Sequence, residues 1–142
     1  MRLTRAGEYG IRCVRHLAIH GQGKLVSRKE IASRTEVPPH FLAKIAQQLA
    51  RAGIIEILQG ANGGYRLLND PAKITLLAVI EAIIGEISLN DCVGRPESCR
   101  DSALCTVHRV WNKANQQLRA TLQEADFATL AREDACCLTS FP

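Results

Sequence analysis

Cys92, Cys99, Cys105 and His108 fall within 17 residues in the pattern C-x6-C-x5-C-x2-H. Thiolates and imidazole are soft and borderline donors, and such a set holds either an iron–sulfur cluster or zinc. Gly94 and Pro96 in the first gap predict a loop rather than a helix. The chain has 142 residues, 46% of them apolar, so it can bury a core without disulfide staples. No C-x2-C knuckle is present, and the wide spacing suits a larger inorganic core, although Cys3His is a common zinc set. Cys13 lies on an inward helical stripe and reads as a small buried hydrophobe. Cys136 and Cys137 are the odd pair: an oxidisable couple, extra ligands, or thiols of no consequence on an aperiodic tail. His16 and His20 read as ordinary helix residues.

The elements ahead of the loop are basic. Residues 1–70 carry 11 Lys+Arg against 5 Asp+Glu, whereas residues 71–142 carry 7 against 9. That asymmetry fits a nucleic-acid face on the first half only. A first helix is expected from just after Thr4 to about His20, with Ile11, Val14, Leu17 and Ala18 inward. Ser27-Arg28-Lys29-Glu30 reads as a capping box opening a second, short helix, in which hydroxyl and carboxylate satisfy each other's free amides. Val37-Pro38-Pro39 is a turn, and Pro39 suits the first position of a third helix over 39–52. Phe41, Leu42, Ile45, Leu49 and Ala52 are assigned to its apolar side. His40, Lys44, Gln47 and Arg51 recur at i, i+4, i+7 and i+11 as a polar stripe opposite. Two short strands, Ile54–Leu58 and Tyr65–Leu68, flank a glycine-rich turn carrying Asn62. This order predicts a mainly α fold: a winged helix-turn-helix with a two-stranded wing.

The same order assigns roles. The third helix has the polar residues that a major groove accepts: Lys44 and Gln47 for purine edges, His40 and Arg51 beside them, and Pro39 at an N-terminus able to meet phosphate. Arg28 and Lys29 would grip the backbone on the flank, and Asn62 would enter or border the minor groove. Past Asp70-Pro71, Thr75 caps a helix, Leu76 to Ile84, apolar on most faces. A long helix from about Thr106 to Ala125 carries a seam of Val107, Val110/Trp111, Ala114, Leu118, Thr121/Leu122 and Ala125. Such a seam packs on a partner helix and most simply closes a two-fold dimer. Asp126 caps a short final helix.

Several stretches together carry a resemblance: MRLTRAGEYGIR at the start, AQQLARAGII before the wing, GANGGYRL in it, and C-x6-C-x5-C-T-V-H-R-V-W after it. Over nearly the whole chain, to about Glu133, the sequence resembles the bacterial winged-helix iron–sulfur transcription regulators, the IscR/NsrR family. The resemblance implies a homodimer on double-stranded operator DNA, paired through the long helix. It also implies a [2Fe-2S] or [4Fe-4S] cluster held by Cys92, Cys99 and Cys105, between the loop and the partner's DNA-binding half. His108 is the fourth ligand favoured, with Trp111 three residues on as in the IscR type. Glu8, supplied by the partner subunit as in the NsrR type, is the alternative. Gain or loss of the cluster would order or free the loop and reset the spacing of the two recognition helices. Three departures limit the borrowing: the first cysteine gap is one residue longer than in the best-known members, and Ala43 and Gln59 stand where IscR-type relatives present charge to DNA.

The division of the chain expected from all this is a DNA-binding region at 1–70, a buried linking helix within 71–91 and a cluster-binding loop at 92–108. A dimerisation helix with a short terminal helix then spans 106–133, and a tail 134–142. No stretch is long and uncharged enough to span a bilayer, and the N-terminus lacks a signal peptide's apolar segment, so a cytoplasmic location is expected, where thiols stay reduced. No general base pairs with a recognisable nucleophile elbow or H-E-x-x-H helix, so enzyme activity is not expected. Other readings of the same thiols are a cluster-free thiol switch or zinc-binding regulator, and an iron–sulfur electron-transfer or carrier protein.

Overall fold

The computed structural model describes residues 3–139, with side chains as far as 134. Helix α1, Arg5–His20, starts where the Thr4 hydroxyl accepts from the Gly7 amide at 3.2 Å and stops at Gly21. Helix α2, Arg28–Thr35, is capped by the Ser27 hydroxyl, which accepts from the Glu30 amide at 3.2 Å. The second half of the expected capping box does not form. The Glu30 carboxylate turns instead to His16 and His20 on α1, at 3.5 and 3.2 Å, where two imidazoles on a packed neighbour stand in place of the exposed amide. Helix α3, Pro39–Arg51, follows with Pro39 in its first turn.

Strands β1, Ile55–Leu58, and β2, Gly64–Leu67, pair antiparallel with Ile55 opposite Leu67 and Glu56 opposite Arg66. Val26, just before α2, pairs with Tyr65 through amide bonds of 3.0 and 2.9 Å, which ties the hairpin to the helix-turn-helix. That approach explains Gly64. A Cβ there would lie 2.1 Å from the Val26 carbonyl oxygen. Gly64→Ala is therefore expected to cost about 1–3 kcal/mol, read as a lower urea midpoint at unchanged slope.

Helix α4, Leu76–Ile84, is capped by Thr75 and buries Leu77, Val79, Ile80 and Ile83. A turn of helix, α5, spans Asp91–Gly94, and a 3-10 turn covers Pro96–Ser98. The first cysteine, Cys92, thus sits on a helical turn and not on open loop. Helix α6 runs Thr106–Glu124 and α7 runs Phe127–Thr139. The last helix continues through residues expected to be an aperiodic tail; the side chains of Cys136 and Cys137 lie outside the described residues. Thr129 donates its amide and hydroxyl to Asp126 at 2.8 and 2.9 Å, holding that carboxyl below the usual carboxylate range. This cap is at full strength above the ordinary carboxylate range and is lost as pH falls through the lowered value.

One core joins α1, α3, the hairpin, α4 and α7 through Val14, Leu17, Ile45, Tyr65, Val79 and Phe127. A smaller cluster of Leu77, Ile80 and Ile87 receives Leu118 and Leu122 from α6. Phe41, assigned to the apolar side of α3, is exposed, with its ring against Tyr9 and His40. Leu42, Ile45, Ala46 and Leu49 already fill the buried stripe, and position 41 falls at its edge. Among the described residues no helix is long and apolar enough to cross a membrane.

Candidate nucleic-acid interface and cysteine loop

Burial of Leu42, Ile45 and Leu49 turns the opposite face of α3 outward, and Pro39, His40, Lys44, Gln47 and Arg51 are all exposed on it. The α3 N-terminus has no side-chain cap, so its first amides are open to an oxygen acceptor such as phosphate. Arg28 and Lys29 are exposed in the first turn of α2 and line one groove together with Pro39. Arg28 also stands beside the Tyr65 hydroxyl; burial pushes that phenol up, and the Arg28 charge opposes the push. Asn62 is exposed at the hairpin tip, where Gly60 takes φ +105°. Arg66, the hairpin's own cation, is engaged by Glu56 directly across the strands at 2.6 Å. The structure thus brings the polar stripe of α3, the α2 flank and the hairpin onto one connected unit.

The cysteine loop lies on the other half of the chain. Cys92 is half-buried on α5, Cys99 is exposed after the 3-10 turn, and Cys105 is half-buried at the cap position of α6. All three are free thiols. His108 is half-buried in the first turn of α6, and its Nδ1 is buried without a hydrogen-bond partner. The loop is folded back on itself, since the Ser102 hydroxyl donates to the Pro96 carbonyl at 2.9 Å and the Cys105 amide to the Asp101 carbonyl at 2.8 Å. These four donors are not gathered to one point. Among the described residues, the one trio of ligand atoms lying within 4.8 Å of one another is His16, His20 and Glu30. Glu8 is exposed in the first turn of α1, without a side-chain hydrogen bond or ion pair among the described residues. Cys13 is fully buried, and burial pushes its thiol up to about 12, which leaves it inert beside the loop thiols.

Three residues absent from the sequence reading position this loop. Glu81 is the single charge in the apolar α4. It accepts from Arg119 of α6 and from the Ile87 amide at 3.2 Å. Buried Asn115 of α6 accepts from the Leu89 amide at 3.0 Å. The segment leading into Cys92 is thereby fastened to both helices. A lone carboxylate inside the most apolar run was the available signal. The expected seam of α6 divides: Leu118 and Leu122 pack within the domain, while Leu104 (87% exposed), Val107, Val110 (68%) and Trp111 (40%) leave an apolar face open around Cys105 and His108.

Residues 3–133 match the Rrf2 family, described as iron-dependent transcriptional regulators. The chain is 30% identical over 137 residues to the rrf2 protein of Nitratidesulfovibrio vulgaris, covering 96% of this chain and 91% of that one. It is 27% identical over 134 residues to the transcriptional regulator IscR of Photobacterium profundum, covering 94% and 77%. The structure of CymR, the global cysteine regulator of B. subtilis, superposes with a TM-score of 0.77 at 24% identity, over 94% of this chain and 98% of that one, a likeness of fold. An exposed polar recognition helix, a glycine-tipped wing fastened to it and a family match over nearly the whole length agree: the chain belongs to the Rrf2 family and is a DNA-binding transcription regulator with a winged helix-turn-helix fold.

Proposed function

We propose that this regulator binds its operator as a homodimer in the cytoplasm, and that an iron–sulfur cluster on Cys92, Cys99, Cys105 and His108 controls that binding. The observation that carries the reading is the buried, unpartnered Nδ1 of His108 one turn from Cys105. A buried imidazole nitrogen without a partner costs about 1–3 kcal/mol, and metal ligation removes that cost. Three free thiols on the flanking turns complete a donor set whose chemistry suits iron and sulfide. When bound, the cluster supplies a centre sensitive to oxidants and nitric oxide.

The remaining work belongs to the chain. Residues 1–70 read DNA: Lys44 and Gln47 reach base edges, and Arg28, Lys29 and Arg51 hold phosphates, with Pro39, His40 and Asn62 at the margins. Residues 92–108 hold the cluster, and residues 106–133 pair the subunits through the open face of α6. Glu81, Asn115 and Arg119 tie the root of the loop to α4 and α6, so a change of loop conformation is felt where the subunits meet. Subunit pairing sets the separation of the two α3 helices, which must match half-sites about 34 Å apart.

Two measurements test the parts. Val110→Asp places a charge in the open apolar face, and sedimentation is expected to show monomer where the parent is dimer, with operator affinity down by about 10²-fold or more. The fourth ligand follows from the visible spectra of anaerobically purified His108→Ala and Glu8→Ala, of which only the first is expected to change. Exposed Cys99 favours one rival reading, a thiol switch without iron. Colourless protein whose DNA binding still responds to oxidant would establish that rival.

A further inference from the structure

We propose a second metal site, for a zinc-class divalent cation, formed by His16 and His20 of α1 and Glu30 of α2. The two histidines stand at i and i+4 and present their rings on one face of α1, with centroids 4.7 Å apart. Glu30 is in the first turn of α2, turned away from the Ser27 cap it could have closed. Its Oε1 lies 3.5 Å from His16 Nε2 and 3.2 Å from His20 Nε2, and the three ligand atoms fall within 4.8 Å of one another. The two carboxylate–imidazole separations are close to the edges of a tetrahedron about an ion whose bonds to nitrogen and oxygen are about 2.0–2.2 Å long.

Three details favour a cation over a bare ion pair. His20 Nδ1 lies 3.0 Å from the His16 carbonyl oxygen, so Nδ1–H donates there and Nε2 is the ring nitrogen that faces Glu30. This is the outer contact that orients a metal-binding imidazole. His16 Nε2 is buried and makes no hydrogen bond of proper geometry, Glu30 included. The His16 ring packs against the His20 ring, so both Nε2 atoms come to Glu30 from one face of α1. Arg34, one turn along α2, opposes a cation, and Arg12 and Arg15 line the same pocket as His16. Two neutral imidazoles with one carboxylate make a zinc set with a position left for water. Such an ion would fasten α1 to the end of α2 that carries Arg28 and Lys29, giving the DNA-binding half a metal input independent of the cysteine loop.

The test uses the full chain with Cys92, Cys99, Cys105, Cys136 and Cys137 replaced by serine, which removes competing thiols. Titration with cobalt(II) is expected to give one equivalent bound, with a ligand-field spectrum free of thiolate charge transfer. Zinc should displace it and raise the thermal midpoint. His16→Gln, His20→Gln and Glu30→Gln should each weaken binding by more than the ~10–100-fold that outer-shell contacts alone are worth, with circular dichroism unchanged. The partly exposed His20 and exposed Glu30 keep the test open if His16→Gln fails to fold. No bound cobalt in the chain with those five serines, or affinity equal to the parent's in His20→Gln and Glu30→Gln, would overturn the site and leave an ion pair.

Discussion

Cys92→Ala, Cys99→Ala and Cys105→Ala are each expected to yield colourless, iron-poor protein after anaerobic purification, whereas Cys13→Ala keeps the colour of the parent. Thiolates hold the iron of such clusters, and the loss of one leaves an open coordination position exposed to solvent and oxidant. The contrast with Cys13 is physical. That thiol is fully buried in the core with its pKa pushed to about 12, so it offers no thiolate at neutral pH. The loop thiols sit on short turns at or near the surface, and Cys105 stands at the N-terminal end of α6, where the helix dipole favours negative charge. Cys13→Ala is expected to cost stability alone, through a small cavity. Iron and sulfide analysis beside the visible spectrum checks all four variants; iron retained by all three loop variants would remove the loop from the account.

The second large effect is on DNA. Lys44→Ala and Gln47→Ala are each expected to cost about 1–3 kcal/mol of specific binding, the worth of a good base contact, with binding to random DNA nearly unchanged. Arg28→Ala should weaken both kinds of binding and reduce the salt slope by about 1. The structure adds one qualification for Arg28. Its guanidinium stands beside the Tyr65 hydroxyl, so its loss also loosens the wing against α2, and the wing contact at Asn62 should weaken with it. Salt-dependent anisotropy titrations on specific and random duplexes separate the two roles. Equal losses on both duplexes for Lys44→Ala, Gln47→Ala and Arg28→Ala would contradict the division between base reading and backbone grip.

Local chemistry made much of this fold legible. Thr4, Ser27, Thr75 and Asp126 mark helix starts in the sequence, because a cap involves only the next few residues. The polar stripe of α3 was legible for the same reason: helical period alone separates Leu42, Ile45 and Leu49 from Lys44, Gln47 and Arg51. What stayed hidden depends on neighbours in space. Glu30 belongs to a local motif by spacing, yet it faces two histidines from a helix ten residues upstream. The α6 period groups Val110 with Leu118, but only packing decides that Leu118 meets α4 while Val110 stays exposed. The turn holding Cys92 is four residues long, too short to carry a period. In the loop itself the thiols and the histidine are legible as candidate donors from spacing; Glu81 shows only as a lone charge in an apolar run, and Asn115 and Arg119 declare themselves only through their contacts.

The most direct test of the account is operator affinity measured on one anaerobic preparation before and after its iron is removed, with iron and sulfide counted in both samples. Control by the cysteine loop predicts coloured, iron-loaded dimer at the start and a change in operator affinity of about tenfold or more once the iron is gone, reversed on reconstitution. Fresh oxygen-free protein that is pale and iron-poor yet binds its operator at full strength would contradict it, as would loaded and stripped samples that bind alike.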